Sequence, residues 1–224
     1  MHDWDLSLEE AKNLQIELSK KVLLQPYKSN PIFVAGADLA YSKKEALFFA
    51  SLIVYTVPDF KVVRELFAYH KGYFPYIPGY LSFREAPILL ELFEKLDLSP
   101  DLIYIDGQGI AHPRGLGLAS HIGLFLNTPT IGIAKSRLVG KYIEPADKLG
   151  AYSSLKYKGK VVGYCLRTRS NTKPVFISPG HLVSLRDIVP LVIKVTSKYR
   201  IPIPTRYADI AVKRYKERQL GYAS

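Results

Sequence analysis

A chain of 224 residues can bury a sizeable core, and 48% hydrophobic with 23% charged residues is the balance of a globular protein, which excludes a disordered or fibrous one. Its charge is less ordinary: 31 Lys and Arg against 20 Asp and Glu leave a net +11, a field that draws polyanions, nucleic acid first among them, although a basic surface without function would look the same. The single cysteine, Cys165, excludes an internal disulfide and fits a reducing cytosol.

The predicted elements run as follows. Ser7-Leu-Glu-Glu10 is a capping box that opens an amphipathic helix to about Val22. The opening "MHDWDLSLEEAK" lacks the apolar stretch of a signal peptide. No later run approaches a membrane span, so a cytoplasmic location and no membrane partner are expected. "NPIFVAGADLAYS" reads as a strand with Asp38 near its end. "EALFFASLIVYTV" and "FKVVRELFAYHKG" are two further strands. Turn signals at Ser42-Lys43-Lys44 and Pro58-Asp59 make the three an antiparallel meander.

The pattern then changes. Residues 82–96 read as a helix, "DLIYID" as a buried strand, 115–127 as a helix and "PTIGIAK" as a strand. That alternation signals parallel strands with crossover helices. "KGKVVGYCLRTRS" and "KPVFISPG" suggest a hairpin, which makes Cys165 a small core residue rather than a nucleophile. Helices follow at about 184–197 and 205–218. The expected fold is a mixed α/β domain of the ribonuclease H-like kind, with residues 1–224 forming one domain.

Four carboxylates stand out along this path. Asp38 and Asp106 each sit at the end of an apolar strand, where an ionised group needs a partner. If their strands are neighbours, the two repel each other and a divalent cation relieves the repulsion. Oxygen ligands suit Mg²⁺ or Mn²⁺, and the chain has no Cys/His spacing of a zinc site. Such an ion serves phosphodiester hydrolysis. Each residue also has an ordinary explanation. A strand-end Asp often caps a turn. Glu85 completes a Ser82-Phe-Arg-Glu85 capping pattern, although Pro87 disturbs a helix there. Asp209 in "TRYADIAVKRY" reads by default as a solvated helix position.

Six segments, in order across residues 34–210, resemble the endonuclease V family: "VAGADLAYS", "FPYIPGYLSFREAP", "IDGQGIAHPRGLGLASHIGL", "PTIGIAKSRL", "VFISPGHL" and "IPIPTRYADI". The resemblance implies a ribonuclease H-like, Mg²⁺-dependent nuclease, with Mn²⁺ as a substitute. Such an enzyme recognises hypoxanthine in DNA and cuts the second phosphodiester bond 3′ to it, leaving 3′-hydroxyl and 5′-phosphate ends. An endoribonuclease acting mainly on inosine-containing RNA is the alternative. By position, Asp38, Asp106 and Glu85 match the family's metal-binding and catalytic acids. Asp209 matches the fourth active-site position and Lys135 the phosphate-contacting lysine. A monomer is expected.

The resemblance gives "PYIP" a role as well. Tyr76, between Pro75 with Ile77 and Pro78, matches a wedge that enters the helix at the lesion. Two prolines limit the entropy that such a loop loses on docking. An extruded purine then needs a tight slot, and backbone near glycines can approach it closely. By family position Gly79, Leu81 and Gly107 supply that backbone: an N–H facing O6 and a carbonyl facing N1–H would accept hypoxanthine and reject adenine. His112 lines the mouth of the site, contacts the nucleic-acid backbone, or is a satisfied structural histidine. His121 reads as structural.

Overall fold

The computed structural model describes residues 2–71, 74 and 77–221. Helix α1 (Leu8–Ser19) begins as its sequence dictates, with Ser7 Oγ accepting from the Glu10 N–H and the Glu10 carboxylate accepting from the Ser7 N–H at 2.8 Å. It stops short of the expected Val22. Strands β1 (Phe33–Ser42), β2 (Leu47–Thr56) and β3 (Val62–Lys71) form the predicted antiparallel meander. Then come α2 (Leu81–Glu94), β4 (Leu102–Asp106), α3 (Leu118–Leu126) and β5 (Thr130–Ala134), with β1, β4 and β5 parallel neighbours. Strands β6 (Tyr152–Tyr157), β7 (Lys160–Leu166) and β8 (Val175–His181) are antiparallel, and α4 (Leu185–Lys194) and α5 (Ile203–Gln219) complete the chain. One eight-stranded sheet results, in the order β3-β2-β1-β4-β5-β8-β7-β6. This is the mixed, ribonuclease H-like α/β arrangement expected from the sequence.

Side chains alternate across the strands and divide the core into two layers. Ala35, Ala37, Ile103 and Ile105 face one way and cluster with Leu89 of α2 and Ile122 of α3. Val34, Tyr104, Ile131 and Ile133 face the other way and cluster with Leu191 of α4 and Ala211 of α5. Asp38 and Asp106 fall in step with the second set, so both stand on the side of the sheet that α5 covers.

Four local expectations are corrected. Asp38 lies inside β1 rather than at its end, because Leu39 to Ser42 go on pairing with Ala50 to Leu47. Ser82 does not cap α2: the helix starts at Leu81 with Tyr80 at the cap position and no side-chain cap. Glu85 is therefore not tied into a capping box and is left for other work. Pro87 sits within α2 without breaking it. An interior proline costs ~3 kcal/mol, and burial of Ile88, Leu89, Leu90 and Leu92, at roughly 1.5–3 kcal/mol each, offsets that. Strand β6 was not expected; it adds an outer strand to the predicted β7–β8 hairpin. Among the described residues no helix is long and apolar enough to cross a membrane.

Candidate active site

The register of β1 on β4 sets the first two acids. Gly36 pairs with Tyr104 and Ala37 with Ile105, so one further step places Asp38 beside Asp106. The last residue of β4 is Asp106, opposite Ile133 of β5. Lys135 follows β5 by one residue and continues the face of Ile131 and Ile133. Its carbonyl accepts from Arg200 Nη2 at 2.8 Å, which fixes the backbone there.

Asp209 arrives from α5, and the sheet is shaped to receive that helix. A Cβ on Gly36 would lie 2.1 Å from the Pro204 carbonyl oxygen, a distance no side chain could occupy. Glycine at this position lets the start of α5 rest directly on β1. Further along, the buried Ser51 Oγ donates to the Ala208 carbonyl at 2.8 Å, one residue before the acid. Asp38, Asp106 and Asp209 can each present an oxygen with all three within 4.8 Å of one another. Glu85 comes from α2, on the other face of the sheet, and is not one of that set; its carboxyl nevertheless feels the charge of Asp106.

Lys135 Nζ supplies positive charge here, 2.6 Å from Asp106 Oδ2 and 3.3 Å from Asp209 Oδ1, while Lys213 Nζ lies 2.7 Å from Asp209 Oδ2. Burial pushes the Asp38 carboxyl well above its ordinary value, and the charge of Asp106 pushes it further. Its visible support is the Leu39 N–H, donating to Oδ1 at 2.8 Å. Burial also raises Asp106, with Lys135 opposing. At Asp209 burial is outweighed by the hydrogen bonds from Lys213 and Lys135, and its carboxyl is held low. Burial lifts Glu85 to about 8, with Asp106 adding to the shift and Arg84 opposing it. This donor set suits a cation. It is all oxygen, it is crowded enough that Asp38 and Asp106 are each raised by a neighbouring carboxylate, and it is hard rather than soft.

A cavity of about 110 Å³ is lined in part by Ser82 and Gln108, three and two residues along the chain from Glu85 and Asp106. Ile77, Pro78, Gly79, Leu81 and His112 line it, joined by Gln108, which the sequence reading left without a role. Gly107 does not line it, and its N–H donates to the Ile133 carbonyl at 3.2 Å. Pro75 and Tyr76 lie outside the described residues.

Gly79 has φ +83°, a left-handed conformation that suits glycine. Its carbonyl accepts from Gln15 Nε2 at 3.1 Å, from His112 Nε2 at 3.0 Å and from Arg114 Nη2. Because the Arg114 N–H donates to His112 Nδ1 at 3.3 Å, the ring proton sits on Nε2. Burial, with Arg114 nearby, holds that imidazole down at about 4, so it is neutral at pH 7. His112 is therefore both a satisfied histidine and a cavity wall. Gln15 and Arg114, which brace the loop through Gly79, were missed. A glutamine on an amphipathic helix reads as solvated, and nothing local in the sequence reveals a bond across 64 residues. His121 is buried in an aromatic cluster with Trp4, Phe83 and Phe125, as a structural histidine should be.

The family model described as Endonuclease V matches residues 16–210. Endonuclease V of Trichormus variabilis is 46% identical over 209 residues, covering 93% of this chain and 95% of that protein. The crystal structure of endonuclease V from Streptomyces avermitilis superposes with a TM-score of 0.91 at 39% identity, covering 97% of this chain and 96% of that one. Endonuclease V of Ciona intestinalis, solved with a 24mer DNA containing an inosine followed by a ribo-adenosine, superposes with a TM-score of 0.83 at 27% identity, over 94% of this chain and 98% of that one.

Proposed function

The chain belongs to the endonuclease V family, and on that premise we propose that it recognises hypoxanthine in DNA and, with Mg²⁺, hydrolyses the second phosphodiester bond 3′ to it. The products carry 3′-hydroxyl and 5′-phosphate ends, and Mn²⁺ substitutes for Mg²⁺. Residues 1–224 act as one catalytic domain, as a monomer in the cytoplasm, in the repair of DNA. The observation that carries this reading is the convergence of Asp38, Asp106 and Asp209 within 4.8 Å in a chain that also has a cavity whose walls include Gly79 and Leu81.

When bound, a divalent cation supplies Lewis-acid stabilisation of the scissile phosphate and lowers the pKa of water. Asp38 and Asp106 hold it. Glu85 and Asp209 flank them and position a second ion or the attacking water, Glu85 with a carboxyl that titrates close to working pH and so can hold or release a proton. With a cation on those carboxylates, the Lys135 ammonium, which pairs with Asp106 and Asp209, would offset charge on a phosphate oxygen instead. The surplus of positive charge holds the strand through phosphates with little preference for sequence. The loop of Pro75, Tyr76, Ile77 and Pro78 wedges the duplex, and the extruded base enters the cavity. Binding at the base and cutting at a phosphate beyond it keep recognition and chemistry on separate groups.

The test is cleavage of an end-labelled duplex with one inosine, with and without Mg²⁺, mapping the nick. A parallel strand carries inosine in RNA, since the Ciona complex places a ribonucleotide after the inosine. A nick at the second bond 3′ to inosine, absent in EDTA and absent in Asp38→Ala and Asp106→Ala proteins that still bind the lesion, is the expected result. Equal nicking of undamaged DNA, or retained nicking by either variant, would overturn the assignment.

A further inference from the structure

Two side-chain oxygens at the cavity are buried and lack a hydrogen-bond partner: Ser82 Oγ and Gln108 Oε1. Both residues line the cavity, and they are only 2% and 8% exposed. Buried polar atoms are rarely left unpaired, and two in one small cavity mark a place where a ligand completes the bonding. The other end of the Gln108 amide fixes its orientation. Nε2 donates to the Ser136 carbonyl at 3.1 Å, so the oxygen is the end left over.

The backbone beneath Gln108 cannot shift easily. A Cβ on Gly117 would meet the Gln108 carbonyl oxygen at 2.3 Å, and one on Gly132 would meet its carbonyl carbon at 2.7 Å. That carbonyl also accepts from the Ala119 N–H at 3.0 Å. The side chain therefore stands on a clamped base, as a group that reads a ligand must.

Of the backbone carbonyls that the resemblance suggests, that of Gly79 already holds three donors. The donor side stays open at the start of α2, where no side chain caps the helix. Gln108 Oε1 is an acceptor at the cavity that no donor among the described residues engages. Resting on the reading that an extruded hypoxanthine enters this cavity, we propose that Gln108 Oε1 accepts the N1–H of the base and that Ser82 Oγ donates to the neighbouring O6. The two side chains are then specificity-determining residues.

The chemistry makes a selective pattern. An amide oxygen only accepts, whereas a hydroxyl also donates. Adenine turns a bare N1 toward the Gln108 oxygen, so two acceptors face each other. Guanine carries the same N1–H and O6 as hypoxanthine and differs in its 2-amino group, which neither side chain addresses. Gln108 therefore governs rejection of adenine and has no part in rejection of guanine.

The experiment is equilibrium binding, by fluorescence anisotropy in EDTA, of one oligonucleotide carrying inosine, 1-methylinosine, adenosine or guanosine at the same position. In Gln108→Met the preference for inosine over adenosine falls roughly tenfold or more, the inosine-to-guanosine ratio stays within about twofold, and the wild-type loss on N1 methylation disappears. In Ser82→Ala, inosine and guanosine weaken together while discrimination against 1-methylinosine persists. A Gln108→Met protein with the wild-type ratio of inosine to adenosine overturns the proposal. So does wild-type protein that binds 1-methylinosine as tightly as inosine, a result that needs no variant to fold. Wild-type protein with no preference for inosine over adenosine would instead sink the functional reading on which this one rests.

Discussion

Glu85→Gln should stabilise the cation-free protein as pH rises while removing its activity. Burial, the charge of Asp106 and the opposing Arg84 together carry the Glu85 carboxyl from an ordinary 4.5 to about 8. The folded state therefore binds this proton more tightly than the unfolded chain does. The stability it contributes is fully present below about pH 4.5 and is lost as pH climbs through about 8. At ~1.4 kcal/mol per pH decade, that interval corresponds to at most ~5 kcal/mol, and relaxation of the site reduces it to a few. Glutamine keeps the size of the protonated acid and does not titrate. Urea unfolding of both proteins in EDTA from pH 4 to 9 measures the difference. The two curves should nearly coincide at pH 4, diverge through neutrality with the variant the more stable, and run parallel above about pH 8.5. Acids that do not interact with Glu85, Asp38 among them, move both proteins alike and cancel in the comparison, whereas Asp106, whose charge acts on Glu85, contributes to the divergence in the same direction. Parallel curves over the whole range, or a variant less stable at pH 8, would refute the view of Glu85 as a carboxyl forced to share a buried field. Activity of the variant on inosine DNA should be lost throughout.

Two further predictions concern the same cluster. Gly36→Ala drives a methyl group into the Pro204 carbonyl, so α5 must lift from β1; unfolding should show a loss of ~1–3 kcal/mol, and calorimetric titration with Mn²⁺ should show affinity falling at least tenfold as Asp209 moves away. Lys135→Met removes an ammonium that is 45% exposed, so the cation-free protein should lose only about 1 kcal/mol after solvent screening. The rise in melting temperature on adding Mn²⁺ should then exceed that of wild type, since Lys135 no longer competes for Asp106 and Asp209, even though cleavage falls; an unchanged Mn²⁺ response would show that the lysine and the cation do not share ligands.

Much of this site could be read in the sequence because its determinants are local. An apolar strand ending in an acid, as at Asp106, and Asp38 in a β-branched and aromatic run need only their neighbours to be recognised. What the sequence could not supply was register. Whether Asp38 meets Asp106 depends on β1 lying parallel to β4 with Ala37 against Ile105, a choice made by packing on both faces. The end of β1 was misplaced because Leu39 to Ser42 are held by β2, not by their own propensity. Ser82 looked like a helix cap because its spacing to Glu85 is that of one, yet the helix begins a residue earlier and leaves both side chains for the cavity and the acids. Strand β6, "YSSLKY", carries two serines and little apolar character; it pairs because β7 offers an edge. Gln15 and Arg114 are legible only once the fold brings them to Gly79.

The seating of α5 on Gly36 has a consequence for how the enzyme comes into being. A ribosome delivers Asp38 and Asp106 early, and the roughly hundred residues that follow, up to Asp209, take ~5–20 s to synthesise. Until that helix emerges and settles, the nascent chain holds two acids and lacks the third, so it cannot assemble the cluster of three carboxylates. The same dependence gives α5 a weight beyond its length: a fragment that stops before it, or is trimmed of it, would keep only two of the three clustered acids.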